Sequence, residues 1–215
     1  MNEKRPSYFN KVKTIGGHKF YMNDQGRLYV PENEENFEVF LWSLFKKVKN
    51  PTEEQVMNYQ IIKEYPFLLP KNRWDKGLSI DKDYGFDFTW TEISSMPRGW
   101  FLAFGKQMLE ELKAFFMFKD PEFIYKYMIV DIKEKYGSLR WYDNGMPEGG
   151  YNIINKYVRL SEKTCIICGK HGSIDHKVYW LEPLCKKHRD HDLLAEQSEA
   201  LLKEYEKAYK KLAKM

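Results

Sequence analysis

Residues 161–191 read SEKTCIICGKHGSIDHKVYWLEPLCKKHRDH, and this stretch decides what holds the C-terminal part of the chain together. It contains all three cysteines and four of the five histidines. Cys165 and Cys168 form a Cys-x2-Cys pair; after sixteen intervening residues, Cys185 and His188 form a Cys-x2-His pair. Tetrahedral zinc takes four such ligands, usually delivered as two close pairs on two turns. Gly169, directly after the first pair, frees the backbone for a tight turn. Two pairs at this separation predict a zinc site made by Cys165, Cys168, Cys185 and His188, in a zinc ribbon or knuckle. Four protein ligands leave no position for substrate, so the expected Zn2+ is structural.

At 215 residues the chain is long enough to bury a full core in one or two domains. Its balance of 43% hydrophobic and 31% charged residues is that of a soluble globular protein. Aromatic residues, at 16%, point to an aromatic core or an adhesive surface. The net charge of +4 is too small to demand a nucleic-acid partner by itself. No apolar run approaches the length of a membrane span. The opening residues MNEKRPSYFNKVK carry no apolar segment after them, so no secretory signal is expected. Cysteines at metal spacing suit a reducing compartment, and a cytoplasmic protein is the expectation.

Residues 1–12 read as a loose basic arm. HKFYM and RLYVP flank Asn23-Asp24-Gln25-Gly26, a pattern for a β-hairpin. Residues 34–49 predict a helix with Phe37, Phe40, Leu41, Leu44, Phe45 and Val48 on one face. Asn50-Pro51 breaks it, and Thr52 to Gln55 supplies a capping box for a second helix to about Tyr65. Residues 65–98 read as a long ordered loop with short strands. Within it Asp81, Asp83 and Asp87 lack the full pattern of a calcium loop, and a solvated acidic loop is the simpler reading. Pro97 opens a long central helix to residue 118.

Residues 127–142, YMIVDIKEKYGSLRWY, predict two strands joined at Tyr136-Gly137-Ser138. Lys133, Lys135, Arg140, Trp141 and Tyr142 gather there, a basic and aromatic set that suits binding of a nucleotide or strand. A sheet with one wet and one buried face explains the same residues. Residues 151–162 predict a helix. Residues 190–213 predict another, with Leu194, Leu201, Tyr205, Ala208, Tyr209 and Leu212 in a narrow stripe. That stripe suits a homodimer or a partner, and equally a tail packed on its own domain.

YPFLLPKNRW, MPRGWFLAFGKQMLEEL, IKEKYGSLRWYDNG and TCIICG with WLEPLCKKH stand in this order between residues 56 and 188. In these segments the chain resembles a family of uncharacterised phage and bacterial proteins with a C-terminal Cys-x2-Cys and Cys-x2-His/Cys site. The resemblance implies a small cytosolic zinc-ribbon protein, often phage-encoded, and implies no activity. His188 stands where relatives often have Cys. Residues 1–50 and the terminal helix lie outside the resemblance.

The expected architecture is α+β: helices packed on a small antiparallel sheet, a C-terminal zinc ribbon or knuckle, and a terminal helix. The expected segments are 1–63, a hairpin and helical pair; 64–160, a central α+β domain; 161–191, the ribbon; and 192–215, the helix. The favoured function is non-catalytic binding of a host protein or nucleoprotein complex, one version being inhibition of host defence. A second reading is a metal-dependent nuclease of the His-Asn-His class, with His176 as base and Asp175 and His191 holding the metal. Only eight residues separate His176 from Cys185, fewer than the usual hairpin needs. A third is nucleic-acid binding by the ribbon through Lys186, Lys187 and Arg189, aided by Lys4, Arg5, Lys11 and Lys13.

Overall fold

The computed structural model describes residues 5–75, 77–78, 86–174, 181–189 and 194–213, with backbone alone for 194–198. Its strands are β1 (Lys11–Ile15), β2 (His18–Met22), β3 (Ile129–Lys135), β4 (Ser138–Asp143), β5 (Ser173–Ile174) and β6 (Pro183–Leu184). The helices are α1 (Glu34–Phe45), α2 (Glu53–Glu64), α3 (Arg98–Trp100), α4 (Lys106–Lys119), α5 (Phe123–Lys126), α6 (Gly150–Ser161), α7 (Lys186–Arg189) and α8 (Leu194–Leu212). The mixture is α+β as expected. The strands pair as three separate two-stranded sheets among the described residues, not as one small sheet. No helix among these residues is long and apolar enough to cross a membrane.

The chain folds as two units: residues 1–91 with 116–130, and residues 92–115 with 131–215. The segment boundaries expected after residues 63 and 160 do not coincide with this division. Composition marks where the chain changes character, whereas packing joins stretches that are distant in sequence.

In the first unit β1 pairs antiparallel with β2 across Gly16-Gly17, with Ile15 opposite His18 and Lys13 opposite Phe20. The sequence pattern does not foresee β1, which takes Lys11 and Val12 from the end of the expected basic arm. The Asn23–Gly26 turn is also formed: it returns Leu28 to bridge Met22, and Tyr29 N–H donates to Tyr21 O at 2.8 Å. Asn33 caps α1, its side chain accepting from Asn36 N–H at 3.0 Å. The capping box of α2 is present: Thr52 Oγ1 accepts from Gln55 N–H at 3.2 Å, and Gln55 Oε1 from Thr52 N–H at 3.0 Å. The stacked rings of Phe45 and Tyr59, 4.4 Å apart, join the two helices. Phe20, Phe37, Phe40, Leu41, Ile62 and Phe88 lie at the heart of this core. Lys71 is buried beneath it, its ammonium donating to the carbonyls of Tyr125 and Tyr127 at 2.6 and 3.2 Å.

In the second unit the expected central helix is interrupted. After α3 the residues Phe101–Gly105 form a π turn before α4 resumes. A Cβ on Gly105 would sit 2.7 Å from the Phe101 ring, so glycine is what lets that ring fold back along the turn. Trp100, Phe104, Met108, Leu109 and Leu112 are buried, as a core helix requires. α6 is tied to β4 through Ser161, whose Oγ accepts from Leu139 N–H at 2.9 Å. The C-terminal half of α8 packs on the same unit. Phe101 lies 5.1 Å from the Tyr205 ring and 5.5 Å from Tyr209, and Leu212 is buried. That part of the apolar stripe therefore packs on its own unit.

Candidate metal centre

Two short turns bring the four expected ligands together. In the first, Cys165 N–H donates to Lys170 O at 2.7 Å and Gly169 N–H to Cys165 O at 2.9 Å. Gly169 has φ +74, a left-handed conformation that closes the turn at little cost only for glycine. In the second, α7 begins directly after Cys185, and His188 N–H donates to Cys185 O at 2.9 Å. Pairing of β5 with β6, and the bond from Ile166 N–H to Pro183 O at 2.9 Å, hold one turn against the other.

The ligand atoms of Cys165, Cys168, Cys185 and His188 all lie within 4.8 Å of one another. Cys168 Sγ is 3.8 Å from Cys185 Sγ. His188 Nδ1 is 3.3 Å from Cys165 Sγ and 3.2 Å from Cys185 Sγ. A tetrahedron with metal–sulfur bonds of about 2.3 Å has sulfur–sulfur edges of about 3.8 Å. The sulfur–sulfur separation matches that edge, so the four residues fit a bound metal ion. The nitrogen that faces the sulfurs is Nδ1, the one nearer the backbone. Cys165 is fully buried and His188 nearly so.

Burial pushes the Cys168 thiol up to about 11, and the nearby sulfur of Cys165 adds to it. Burial acts the same way on Cys185, but the backbone N–H groups of His188 and Lys187, with the neighbouring thiols, outweigh it and hold Cys185 below its ordinary value. Without a cation, neighbouring sulfurs compete over which is ionised. A dication resolves the competition by stabilising all three thiolates.

The start of the interrupted helix is built into this centre. Gly99 N–H donates to Ile166 O at 2.8 Å, and Trp100 Nε1 donates to Thr164 O at 2.9 Å. A Cβ on Gly99 would overlap Cys165 O and lie 2.6 Å from the carbonyl carbon of Ile166. Nothing in the sequence pattern pointed to Gly99; its signal would have been a glycine inside a strong helical pattern.

The basic and aromatic set on β3 and β4 is divided by strand alternation. Lys133 and Lys135 are exposed, Tyr142 is 44% exposed and Arg140 is half-buried. The Lys133 ammonium lies 5.3 Å from the Tyr142 ring centroid and pairs with Asp131. Trp141 instead is 8% exposed and belongs to the buried side. Its place in the expected binding set is corrected: neighbouring strand positions face opposite ways, so Trp141 cannot share a surface with Arg140 and Tyr142. Tyr136, not included in that set, is 67% exposed at the hairpin tip.

Asp175, His176 and His191, on which the nuclease reading rests, lie outside the described residues, as do Lys4, Asp81 and Asp83. Asp87 is described; its carboxylate accepts from the backbone N–H of Thr89 at 3.1 Å and from the Thr89 hydroxyl at 2.8 Å, as a turn residue does. Arg189 donates to Ser173 O at 2.9 Å and also to Ser173 Oγ, so it serves the lobe that carries the ligands. Lys11 pairs with Asp24 at 2.9 Å on the exposed edge of the first hairpin.

Comparison of the chain with protein-family models, with curated proteins and with solved structures finds no match.

Proposed function

We propose that this chain is a zinc-stabilised binding protein, whose metal braces a surface and takes no part in turnover. The observation that supports this is the closed set of Cys165, Cys168, Cys185 and His188, whose ligand atoms lie within 4.8 Å of one another. Three thiolates and an imidazole suit zinc, and such a set lacks the open position of a catalytic site. When bound, the ion supplies a cross-link between the two turns, making a ribbon or knuckle of strands too short to persist alone. The protein's own residues then set what that cross-link holds. Ile166 carries the brace to Gly99, and Thr164 carries it to Trp100.

The partner we propose is a host protein or a nucleoprotein complex. This accords with the phage and bacterial proteins that residues 56–188 resemble, and interference with host defence is one form of it. Elemental analysis of the purified chain tests the reading. One zinc per chain, with loss of the near-ultraviolet circular dichroism of the second unit on chelation, is expected. A metal-free folded protein would overturn it, and so would cleavage of plasmid DNA with added magnesium.

A further inference from the structure

Accepting that binding role, we propose that the solvent face of the β3–β4 hairpin is a stacking platform for single-stranded nucleic acid. Ile132, Leu139 and Trp141 are buried, so alternation turns Lys133, Lys135, Arg140 and Tyr142 toward the other side. Two lysine–aromatic pairs repeat there: Lys133 with Tyr142 and Lys135 with Tyr136, each at 5.3 Å from ammonium to ring centroid. An unstacked base has a π face for each ring, and the ammonium beside it meets the following phosphate. Among the described residues Asp131 is paired with Lys133 and Glu134 accepts from the turn N–H of Gly137. Lys135 and Arg140 carry no ion pair among those residues.

Tyr136 is the decisive residue. It has φ +57, a conformation uncommon for any bulky side chain, while its ring remains 67% exposed. Glycine or asparagine would make the turn with less strain. The ring buries too little to explain its presence by stability, and strain at an exposed aromatic residue points to a contact made outside the chain. The tip is also held in place. A Cβ on Gly137 would meet Ile174 Cδ1 at 2.6 Å, so β5 of the metal-bearing lobe presses directly against the turn. A rigid pair of rings loses little conformational freedom on binding. Duplex bases present no such faces, which is why the ligand class is a single strand. An acidic peptide would meet the lysines but has no use for two exposed ring faces.

The test is fluorescence anisotropy of labelled oligo-dT and oligo-U with the zinc-loaded full chain at low salt. Binding is expected, with Tyr136→Gly and Tyr142→Ala each weakening it roughly 5- to 100-fold. Lys135→Ala should lower the slope of log affinity against log salt by about 0.7. Tyr136→Gly relieves the positive φ, so its melting temperature should not fall; lost binding with retained stability isolates the stacking contact. No binding by a folded, zinc-replete protein overturns the proposal and leaves the metal reading intact. Affinity unchanged in Tyr136→Gly also overturns it, as does an acidic peptide that binds and is not displaced by oligonucleotide.

Discussion

A single methyl group at Gly99 tests whether the helix and the metal centre are one structure. Gly99 occupies the middle of α3 at Arg98–Trp100. On helix propensity alone, Gly99→Ala should stabilise by about 1 kcal/mol. The surroundings predict the opposite. The added Cβ would overlap Cys165 O and stand 2.6 Å from both the carbonyl carbon and oxygen of Ile166. Those are backbone atoms, which cannot swing aside as a side-chain tip would. Overpacking of this kind costs about 1–3 kcal/mol. Displacement also weakens the 2.8 Å bond from Gly99 N–H to Ile166 O, for about 1 kcal/mol more. A net loss of roughly 1–3 kcal/mol follows after the propensity gain. The strain falls on the turn that carries Cys165 and relaxes when that turn is free of metal. It should therefore appear as zinc affinity, at tenfold for each 1.4 kcal/mol, or roughly 5- to 100-fold weaker binding. Competition against a chromogenic chelator measures this directly. Gly145→Ala is the control: Gly145 has φ +105 and nothing near its Cβ position, so it should strain a loop and leave the metal affinity alone. Zinc affinity at the wild-type level in Gly99→Ala, or a gain in stability, would refute the coupling.

Three other outcomes follow from the packing. Burial, with the charge of Asp131 beside it, pushes Glu92 up to about 7 from an ordinary 4.5. Its contribution is therefore most favourable below the ordinary value, falls as pH rises to about 7, and levels at a cost of roughly 3 kcal/mol at most. Glu92→Gln should match the wild type in urea unfolding near pH about 4 and exceed it near pH about 8; equal differences at both would show that ionisation is not the cause. Thr52→Ala removes the reciprocal bonds at the start of α2 and should cost about 1 kcal/mol, seen as a lower denaturation midpoint with unchanged slope. Lys71→Met leaves the carbonyls of Tyr125 and Tyr127 without their ammonium donor and should cost about 2–3 kcal/mol; a neutral result would mean that water replaces it.

What was legible in the sequence was what is local. The ligand pairs at 165, 168, 185 and 188 could be read because each sits on one short turn, and the capping box at Thr52 because both partners lie within one helical turn. The Tyr136-Gly137 hairpin was legible for the same reason. The Asn23–Gly26 turn was legible too, but β1 escaped because Lys11 and Lys13 make it look solvated, although Gly16-Gly17 carried the turn signal. Trp141 fits the reading of one wet and one buried face, because strand phase and not the composition of the cluster sets which way a side chain points. The π turn at Phe101–Gly105 could not be read, because it depends on where the Phe101 ring folds against Gly105. Gly99 escaped for a related reason: its role is defined by Cys165 and Ile166, more than sixty positions away.

These long-range contacts bear on what a metal held by the four residues would do. β5 and β6 have two residues each, and a two-stranded ribbon of that size is not stable in water by itself. Binding of zinc at a structural site contributes roughly 10–16 kcal/mol, comparable with the whole stability of a typical domain. A zinc ion at the proposed site would thus be strong enough to fix the lobe, and the lobe in turn meets two further elements. Gly99 and Trp100 anchor the interrupted helix to it, and Ile174 presses on the turn that displays Tyr136. Removing the metal should therefore loosen the hairpin tip before it disturbs the body of α4. Hydrogen exchange would show this as faster exchange at residues 136–138 with protection retained at 108–112; loss of both together would mean that the lobe and the helix unfold as one.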